Sequence, residues 1–260
     1  MADIKKIKAF LIDFKSKNTE IETKYLVEKK KNSNLLFNRV KELNEAIITE
    51  ERKFASDYNI FYVLKNVYNK EVILHTPILA DFLNINGDHK QMDLFFSKFI
   101  KLLPENEKYE IKNPVFFKIE EPKYIGPIDI VNCTGGSIDI LITYNDGQKE
   151  FAIAIENKIG AIDQKMQLER YNNYLKKNYT DNYILIYLTL YGHDPCTELK
   201  NENEYSISND NMEQLKNEKR FMCLSHQRDI VNLFQQTIND IEAENLKSII
   251  NQYLQIIKEL

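Results

Sequence analysis

Two acidic residues and a lysine stand near the facing ends of two apolar segments. Asp139 interrupts the segment SIDILITY, and Glu156 and Lys158 close the segment EFAIAIENK. Between the two segments, Asn145-Asp146-Gly147 is a strong signal for a tight hairpin turn. We therefore expect the segments to pair as antiparallel strands of one hairpin.

The register of this hairpin follows from the position of its turn. With a two-residue or a four-residue loop centred on 146–147, Asp139 lies opposite Ala154 and Ile138 lies opposite Ile155. Alternate residues of a strand share a face, so one face is predicted to be core and the other to carry the charges. The predicted core face consists of Ile138, Ile140, Ile142, Phe151, Ile153 and Ile155. The predicted site face consists of Asp139, Leu141, Thr143, Ala152, Ala154, Glu156 and Lys158, where the small alanines leave room beside the acids.

The site face has the chemistry of a metal-assisted hydrolase. On this register Glu156 is the diagonal neighbour of Asp139, with backbones roughly 7–8 Å apart, so both carboxylates can reach one cation. The backbone carbonyl of Asn157 adds an oxygen ligand, and such an oxygen-rich site suits Mg²⁺ or Mn²⁺. Such an ion polarises a phosphoryl oxygen and acidifies a water, while Lys158 orients that water or stabilises the developing negative charge.

A structural ion pair is the alternative interpretation of the same residues. Glu156 and Lys158 can neutralise each other at the strand end, and Asp139 can cap a neighbouring helix. The place of Asp139 inside an apolar strand argues against this alternative, because a buried carboxylate without a partner is energetically costly.

Composition restricts the class of protein. The chain of 260 residues is 43% hydrophobic and 28% charged, which suits a globular protein with a substantial core. No apolar run approaches the roughly 18 residues of a membrane span, and the first residues lack a signal-peptide core. Cys133, Cys196 and Cys223 fit neither a disulfide framework nor a zinc knuckle, so we expect a reduced, cytoplasmic location.

The charge balance limits how nucleic acid could be bound. A net charge of −4 argues against a uniformly basic surface but leaves room for a local basic groove. The candidates for such a groove are Lys149, Lys165, Arg170, Lys176 and Lys177.

The rest of the chain predicts helices around a sheet. Residues 1–54 contain neither glycine nor proline and show helical spacing of apolar residues, which predicts two helices joined near 29–31. Strand-like alternation begins at about 114. The predicted later elements are a helix over 163–178, a strand NYILIYLTL, a polar excursion over 200–216, a strand RFMCLS and two C-terminal helices. The last helix carries an apolar stripe, which predicts core packing or a dimer seam.

The hairpin residues resemble the motif of the PD-(D/E)XK nuclease superfamily, whose fold is that of restriction endonucleases. That motif has an aspartate on one strand of a hairpin, Asp/Glu-X-Lys on the next strand, and then a helix. The chain is similar to a bacterial subgroup with IDILI, IENKI and QLERY in this order, since it contains SIDILI, AIENKIG and DQKMQLERY. Upstream, NKEVILHTPILADFLNINGDH matches the subgroup's acidic helix, histidine and turn. The resemblance covers about 59–190, and the proline usual before the motif aspartate is absent.

The resemblance implies roles for the motif residues. Asp139 and Glu156 correspond to the metal ligands, together with the carbonyl of Asn157, and Lys158 corresponds to the catalytic lysine. Glu71 matches a helix acid that binds or orients a metal water, and its alternative is an exposed charge at a helix start.

The helix after the motif leaves several roles open. Gln164 or Gln167 corresponds to the glutamine that the superfamily places beside its active site. Tyr171 shares the helical face of both glutamines and either contributes to the site or packs beneath it. His75 either lines the site or packs in the core.

Together these observations predict an α/β fold with a restriction endonuclease-like core, in which helices flank a central mixed sheet. We expect an N-terminal helical extension over 1–56 and a nuclease-like domain with C-terminal helices over 57–260. The resemblance implies an endonuclease dependent on Mg²⁺ or Mn²⁺ that hydrolyses nucleic acid, DNA first, in defence or mobile-element biology. A homodimer through the terminal helices is a further expectation.

Three alternatives to this function stay open. The first is a catalytically inactive nuclease-fold module that binds nucleic acid or protein. The second is an RNA-cleaving enzyme with the same chemistry. The third is an unrelated interaction module that acts through its long terminal helices.

Overall fold

The computed structural model describes residues 2–54, 59–64, 70–104, 106–109, 114–197 and 205–260. The chain divides into two compact units, Met1–Tyr58 and Asn59–Leu260. Within the described ranges, no helix is both long enough and apolar enough to cross a membrane.

The first unit is built on helix α1 (Ala2–Phe54), which runs without interruption for 53 residues. The expectation of two helices in this region is therefore wrong. The stretch over 28–34 carries charged and amide side chains but neither glycine nor proline, so it contains no residue that breaks a helix. Ion pairs one turn apart, such as Lys17 with Asp13, add modest support along the exposed surface.

The second unit places helices on both faces of a sheet. Its helices are α2 (Ile60–Val63), α3 (Thr76–Leu83), α4 (Leu94–Ile100), α5 (Asn106–Tyr109), α6 (Gln167–Tyr179), α7 (Asn209–Asn217), α8 (Val231–Ile238) and α9 (Glu244–Glu259). Two π-helical turns, Glu71–His75 and His226–Ile230, lead directly into α3 and α8.

The strands form one central sheet and one short ribbon. The central sheet contains β1 (Phe116–Glu120), β4 (Ile140–Asn145), β5 (Glu150–Lys158), β6 (Tyr183–Thr189) and β7 (Phe221–Ser225), and the ribbon contains β2 (Lys123–Tyr124) and β3 (Ser137–Ile138). The central order is β1-β4-β5-β6-β7, antiparallel from β1 to β5 and parallel from β5 to β7. The predicted mixed sheet is therefore confirmed.

Helices bury both faces of this sheet. On one face, Ile142 and Ile153 belong to a core shared with α3, α4, α8 and α9. On the other face, Leu141, Ala152 and Ala154 belong to a core shared with α6 and α7. The alanines are fully buried there, so the open space that their small size predicted is filled. The predicted α/β fold with helices flanking the sheet is confirmed.

Some element boundaries differ from the predicted ones. Helix α6 begins at Gln167 and not near 163, because the preceding Met166 adopts a left-handed conformation with φ of 50°. Part of the predicted polar excursion forms α7, while 198–204 lie outside the described residues. The apolar stripe of α9 is core: Ile250, Tyr253, Leu254 and Ile257 are buried.

The β4–β5 hairpin forms, but its register differs from the predicted one by two residues. Ile140 pairs with Ile155. Asp146 Oδ1 accepts the backbone N–H groups of Gln148 and Lys149 at 2.8 Å each, which closes a four-residue loop over 146–149 in place of the predicted 146–147 or 145–148. A shift of two residues preserves the faces of both strands, since their side chains alternate with a period of two.

The predicted face of Ile138 is wrong for a separate reason. The chain bends at Asp139, between β3 and β4, so the alternation of side chains does not continue through it. Ile138 consequently packs with Leu141 on the α6 side of the sheet and not with Ile140. Asp139 is thus not opposite Ala154, whose partner is Leu141.

Candidate active site

The end of β5 carries a buried ion pair. Lys158 Nζ lies 3.0 Å from Glu156 Oε1, and the two side chains are only 7% and 2% exposed. The period of two along β5 places both side chains on the same face, as predicted. A pair so far from water needs further polar partners, because each charge has lost its hydration.

Asp139 reaches this strand end from the bend between β3 and β4. Its Oδ2 accepts the backbone N–H of Asn157 at 2.8 Å, which joins the aspartate to the middle residue of Glu-Asn-Lys. Burial raises the pKa of Asp139 to about 6, although the Asn157 N–H and the charge of Lys158 oppose the rise. The carboxylate is therefore held in place but is short of compensating positive charge.

Glu156 is positioned by the helix that follows the motif. Gln167 Nε2, in the first turn of α6, donates to Glu156 Oε1 at 2.7 Å and lies 3.1 Å from the Tyr171 hydroxyl. Glu156 Oε2 is buried without a hydrogen-bond partner among the described residues. Burial, reinforced by the charge of Asp139, raises the pKa of Glu156 well above its usual range.

The chain before Asp139 is tied to the same helix. Gly135 and Gly136 have φ angles of 81° and 118°, and a side chain at Gly136 would collide with Arg170. Arg170 donates to the carbonyl of Gly135, and the Tyr171 hydroxyl donates to the carbonyl of Ser137, each at 2.5 Å. Arg170 is therefore a buried anchor and not part of a surface groove, contrary to the expectation from its charge.

Glu71 contacts the turn that leaves β5. Its Oε2 accepts the backbone N–H groups of Ile159, Gly160 and Ala161 at 2.5, 3.1 and 3.4 Å. Its charge also raises the pKa values of Asp139 and Glu156. The structure therefore brings Glu71, a sequence-predicted residue, to the edge of the acid cluster, where it holds backbone.

The two candidate glutamines have different positions. Gln167 contacts Glu156 through its side chain, whereas Gln164 donates its backbone N–H to Gln167 Oε1 at 3.3 Å. Tyr171, for which packing was one expectation, is 1% exposed and also hydrogen-bonded. Sequence spacing alone did not show which glutamine lies beside Glu156. Because α6 begins at Gln167, the side chain in contact with Glu156 is that of Gln167.

The side chain of Asn157 points to the opposite face of the sheet. Its Nδ2 donates to Thr76 Oγ1 at 2.9 Å, and its Oδ1 lies 2.7 Å from His226 Nε2. Sequence reasoning considered only the backbone carbonyl of Asn157 and assigned no role to Thr76. The sequence did contain one signal for these partners. Asn157 lies on the core face of a strand, and an amide buried there needs buried hydrogen-bond partners.

The two buried histidines belong to this polar cluster behind β5. Burial, with His75 nearby, lowers the pKa of His226 to about 3, so its ring is neutral. The rings of His75 and His226 are 6.0 Å apart, and His75 Nδ1 lies 3.0 Å from the Tyr253 hydroxyl. His75 thus packs in the core, one of its two expected roles.

A family model described as the PD-(D/E)XK nuclease superfamily matches residues 58–255. The chain belongs to this superfamily. Comparisons with curated proteins and with solved structures found no match. The resemblance is thus confirmed at the level of the superfamily, and membership supports a nuclease-type function.

PD-(D/E)XK nucleases typically use divalent metal ions. Across the described ranges, no group of three or more His, Cys, Asp and Glu side chains is arranged to hold a metal ion. The carboxylates at the strand end that could contribute oxygens to a metal site are Asp139 and Glu156, whose Oε2 has no hydrogen-bond partner among the described residues. Burial raises the pKa values of both acids, the charge of Glu71 adds to both shifts, and the charge of Asp139 adds to that of Glu156. A cation held by the two acids would therefore relieve an unfavourable negative charge. All donors are oxygens, as a hard cation requires.

Proposed function

We propose that the protein is a metal-dependent endonuclease that hydrolyses the phosphodiester backbone of DNA. The observation that carries this proposal is the joining of Asp139 to the Glu156-Asn157-Lys158 strand end through the Asn157 N–H. This contact brings both acids and the lysine to one end of the sheet, in a chain that belongs to a nuclease superfamily.

In this proposal Asp139, Glu156 and the carbonyl of Asn157 hold Mg²⁺ or Mn²⁺. The ion supplies a positive charge that polarises a phosphoryl oxygen and acidifies a water molecule. Gln167 restricts the rotation of Glu156, and Glu71 fixes the turn after β5. Glu156 and Gln167 are buried, which limits their motion, and such preorganisation is the main contribution of a protein to electrostatic catalysis.

Lys158 provides the cationic group of the proposed site. Burial lowers its pKa, but the charge of Glu156 and its hydrogen bond, with the charges of Glu71 and Asp139, outweigh burial and leave the pKa raised. The ammonium group is therefore protonated at neutral pH. It can orient the attacking water as a hydrogen-bond donor and stabilise negative charge on the phosphoryl oxygens.

A cleavage assay with Glu156→Gln tests the proposal. The substrates are supercoiled plasmid, linear duplex DNA, single-stranded DNA and structured RNA, each with Mg²⁺, Mn²⁺ or EDTA. The control variant is Glu244→Gln, which removes an 82% exposed carboxylate from α9. We expect metal-dependent cutting of DNA by the wild type and by Glu244→Gln, and a loss of at least about 100-fold in Glu156→Gln.

The other outcomes identify the alternatives. If only RNA is cut, the substrate is RNA and not DNA. Absence of cutting together with retained nucleic-acid binding would indicate a binding module without catalysis. Cutting that survives Glu156→Gln would reject the proposed site.

A role in defence or in mobile-element biology is the biological part of the proposal. It predicts that cells producing the wild type resist phage infection or plasmid transformation, whereas cells producing Glu156→Gln do not. Equal infection and transformation efficiencies in both strains would reject this role without affecting the enzymatic proposal.

A further inference from the structure

Helix α1 exposes a long apolar surface. All side chains that the structure describes in this helix are exposed, including large apolar ones along almost its whole length. At 1.5 Å per residue, a helix of 53 residues is about 80 Å long. An isolated helix with so much exposed apolar surface is poorly stabilised in water, because helices in proteins depend on packing of an apolar face.

Among the described residues of α1, nine of the fifteen exposed large apolar side chains lie on a stripe with a repeat of eleven residues. Starting at Ile7, steps of three and four lead along one face in the recurring pattern 3-4-4. The positions of this stripe are Ile7, Phe10, Phe14, Asn18, Ile21, Tyr25, Lys29, Asn32, Leu36, Val40, Leu43 and Ile47. An eleven-residue repeat corresponds to about 3.67 residues per turn and is typical of coiled coils with a right-handed supercoil.

The apolar positions of the stripe are sufficient for a stable interface. Nine large apolar side chains lie on it, and their exposed fractions range from 47% for Val40 to 67% for Phe10 and Leu36. At roughly 100 Å² each, their burial would amount to about 900 Å², comparable with the ~800 Å² per partner of a standard stable interface. The apolar stripe of α9 is already buried in the core of the second unit. Of the two terminal helices, α1 is therefore the one whose apolar stripe is exposed and can pair with a partner.

The polar positions of the stripe indicate the identity and the direction of the partner. In a parallel pair of identical helices in register, Asn18 faces Asn18 and Asn32 faces Asn32, so each amide has an amide partner. In an antiparallel pair aligned end to end, the same amides would face Leu36 and Ile21, which leaves buried polar groups against apolar ones. An antiparallel pair shifted by one stripe position would match Asn18 with Asn32, but it would place Lys29 against Ile21 and leave Ile47 outside the seam. Only the parallel pair in register matches every stripe residue with a like side chain. Asparagine pairs at core positions are known to specify register and the dimeric state.

We infer that α1 pairs with α1 of a second copy of this chain in a parallel, in-register coiled coil. Lys29 is the unfavourable position of this pairing, since it would face its own copy, and its long side chain can carry the ammonium group out to water. The inference rests on the exposed stripe of α1 alone and is independent of the proposed nuclease activity.

Mass measurement of the full chain is the first test. We expect the wild type to sediment as a dimer, at twice 30.7 kDa. Leu36→Glu places two carboxylates in the seam and should raise the dissociation constant at least about 100-fold. The control is Val27→Glu, an equally exposed apolar position that lies roughly 200° around the helix from Tyr25, and it should leave the dimer intact.

Disulfide cross-linking tests the direction of the pair without disturbing the fold. Asn32→Cys should oxidise to a covalent dimer, because paired core positions bring Cα atoms within the roughly 4.4–6.8 Å that a disulfide requires. Lys30→Cys, two residues earlier and off the stripe, should form at least about tenfold less of this product.

Several results would overturn the inference. A wild type of monomeric mass at tens of micromolar, or a Leu36→Glu variant as dimeric as the wild type, would exclude the seam. A dimer in which Asn32→Cys is oxidised no faster than Lys30→Cys would exclude the parallel register.

Discussion

The backbone N–H of Asn157 donates to Asp139 Oδ2 over 2.8 Å, across 18 residues of sequence. The same residue anchors its side chain to Thr76 and His226 on the opposite face of the sheet. Asn157 therefore connects the acid cluster with the helical core behind β5. The middle residue of the motif is a structural element, although its side chain lies away from the proposed chemistry.

Asp139→Asn is expected to stabilise the metal-free protein in a pH-dependent manner. The folded-state pKa of Asp139, about 6, exceeds the usual 3.8, so ionisation above pH 6 opposes folding. The contribution of this carboxyl to stability therefore falls as pH rises from about 4 to about 6. At about 1.4 kcal/mol per pKa unit, the variant should gain up to about 3 kcal/mol near pH 7.5 and nothing near pH 4.

Urea unfolding in EDTA between pH 4 and pH 8 measures this difference. A stability difference between Asp139→Asn and the wild type that is constant over the whole range would contradict the prediction. Saturating Mg²⁺ should reduce the difference at pH 7.5, because it would stabilise only the protein that keeps the carboxylate.

Gln167→Ala is expected to impair the site much more than Gln164→Ala. Gln167 holds Glu156 Oε1 through its side chain, whereas Gln164 reaches Gln167 through its backbone N–H, which the alanine variant retains. Loss of a residue that orients a metal ligand typically costs 10- to 100-fold, so we expect about that loss in metal affinity or kcat for Gln167→Ala. Titration calorimetry and single-turnover cleavage of both variants provide the comparison, and equal effects would reject the distinction.

Asn157→Ala is expected to destabilise the fold. The substitution leaves Thr76 Oγ1 and His226 Nε2 buried without their common partner, which should cost about 2–4 kcal/mol in the free energy of unfolding. Asn173→Ala serves as the control, because that amide is exposed and donates to the carbonyl of Cys133. A loss below about 1 kcal/mol in Asn157→Ala would show that the cluster behind β5 does not stabilise the strand.

Glu71→Ala is expected to loosen the turn after β5. Glu71 Oε2 accepts the N–H groups of Ile159, Gly160 and Ala161, and the alanine variant has no acceptor for them. Hydrogen exchange of these three amides should accelerate by on the order of tenfold, with cleavage reduced as well. Unchanged exchange, matching that of Glu244→Ala, would show that Glu71 does not hold this turn.

The sequence by itself determined the local features of this site. The alternation of apolar residues predicted the β4–β5 hairpin, and the period of two placed Glu156 and Lys158 on one face. This assignment of faces is correct although the predicted register was wrong, because the register error was two residues and side chains alternate with a period of two. Membership of the superfamily was also predicted from the sequence, and the family model over 58–255 confirms it.

Tertiary structure decided the features that depend on distant residues or on single backbone angles. The chain bends at Asp139, so Ile138 packs in the core on the α6 side of the sheet. The left-handed conformation of Met166 makes α6 begin at Gln167, whose side chain contacts Glu156. The partners of Asn157 lie 81 and 69 residues away, at distances that no local pattern encodes. Periodicity reports which side of an element is buried, whereas the folded backbone alone determines which side chains meet there.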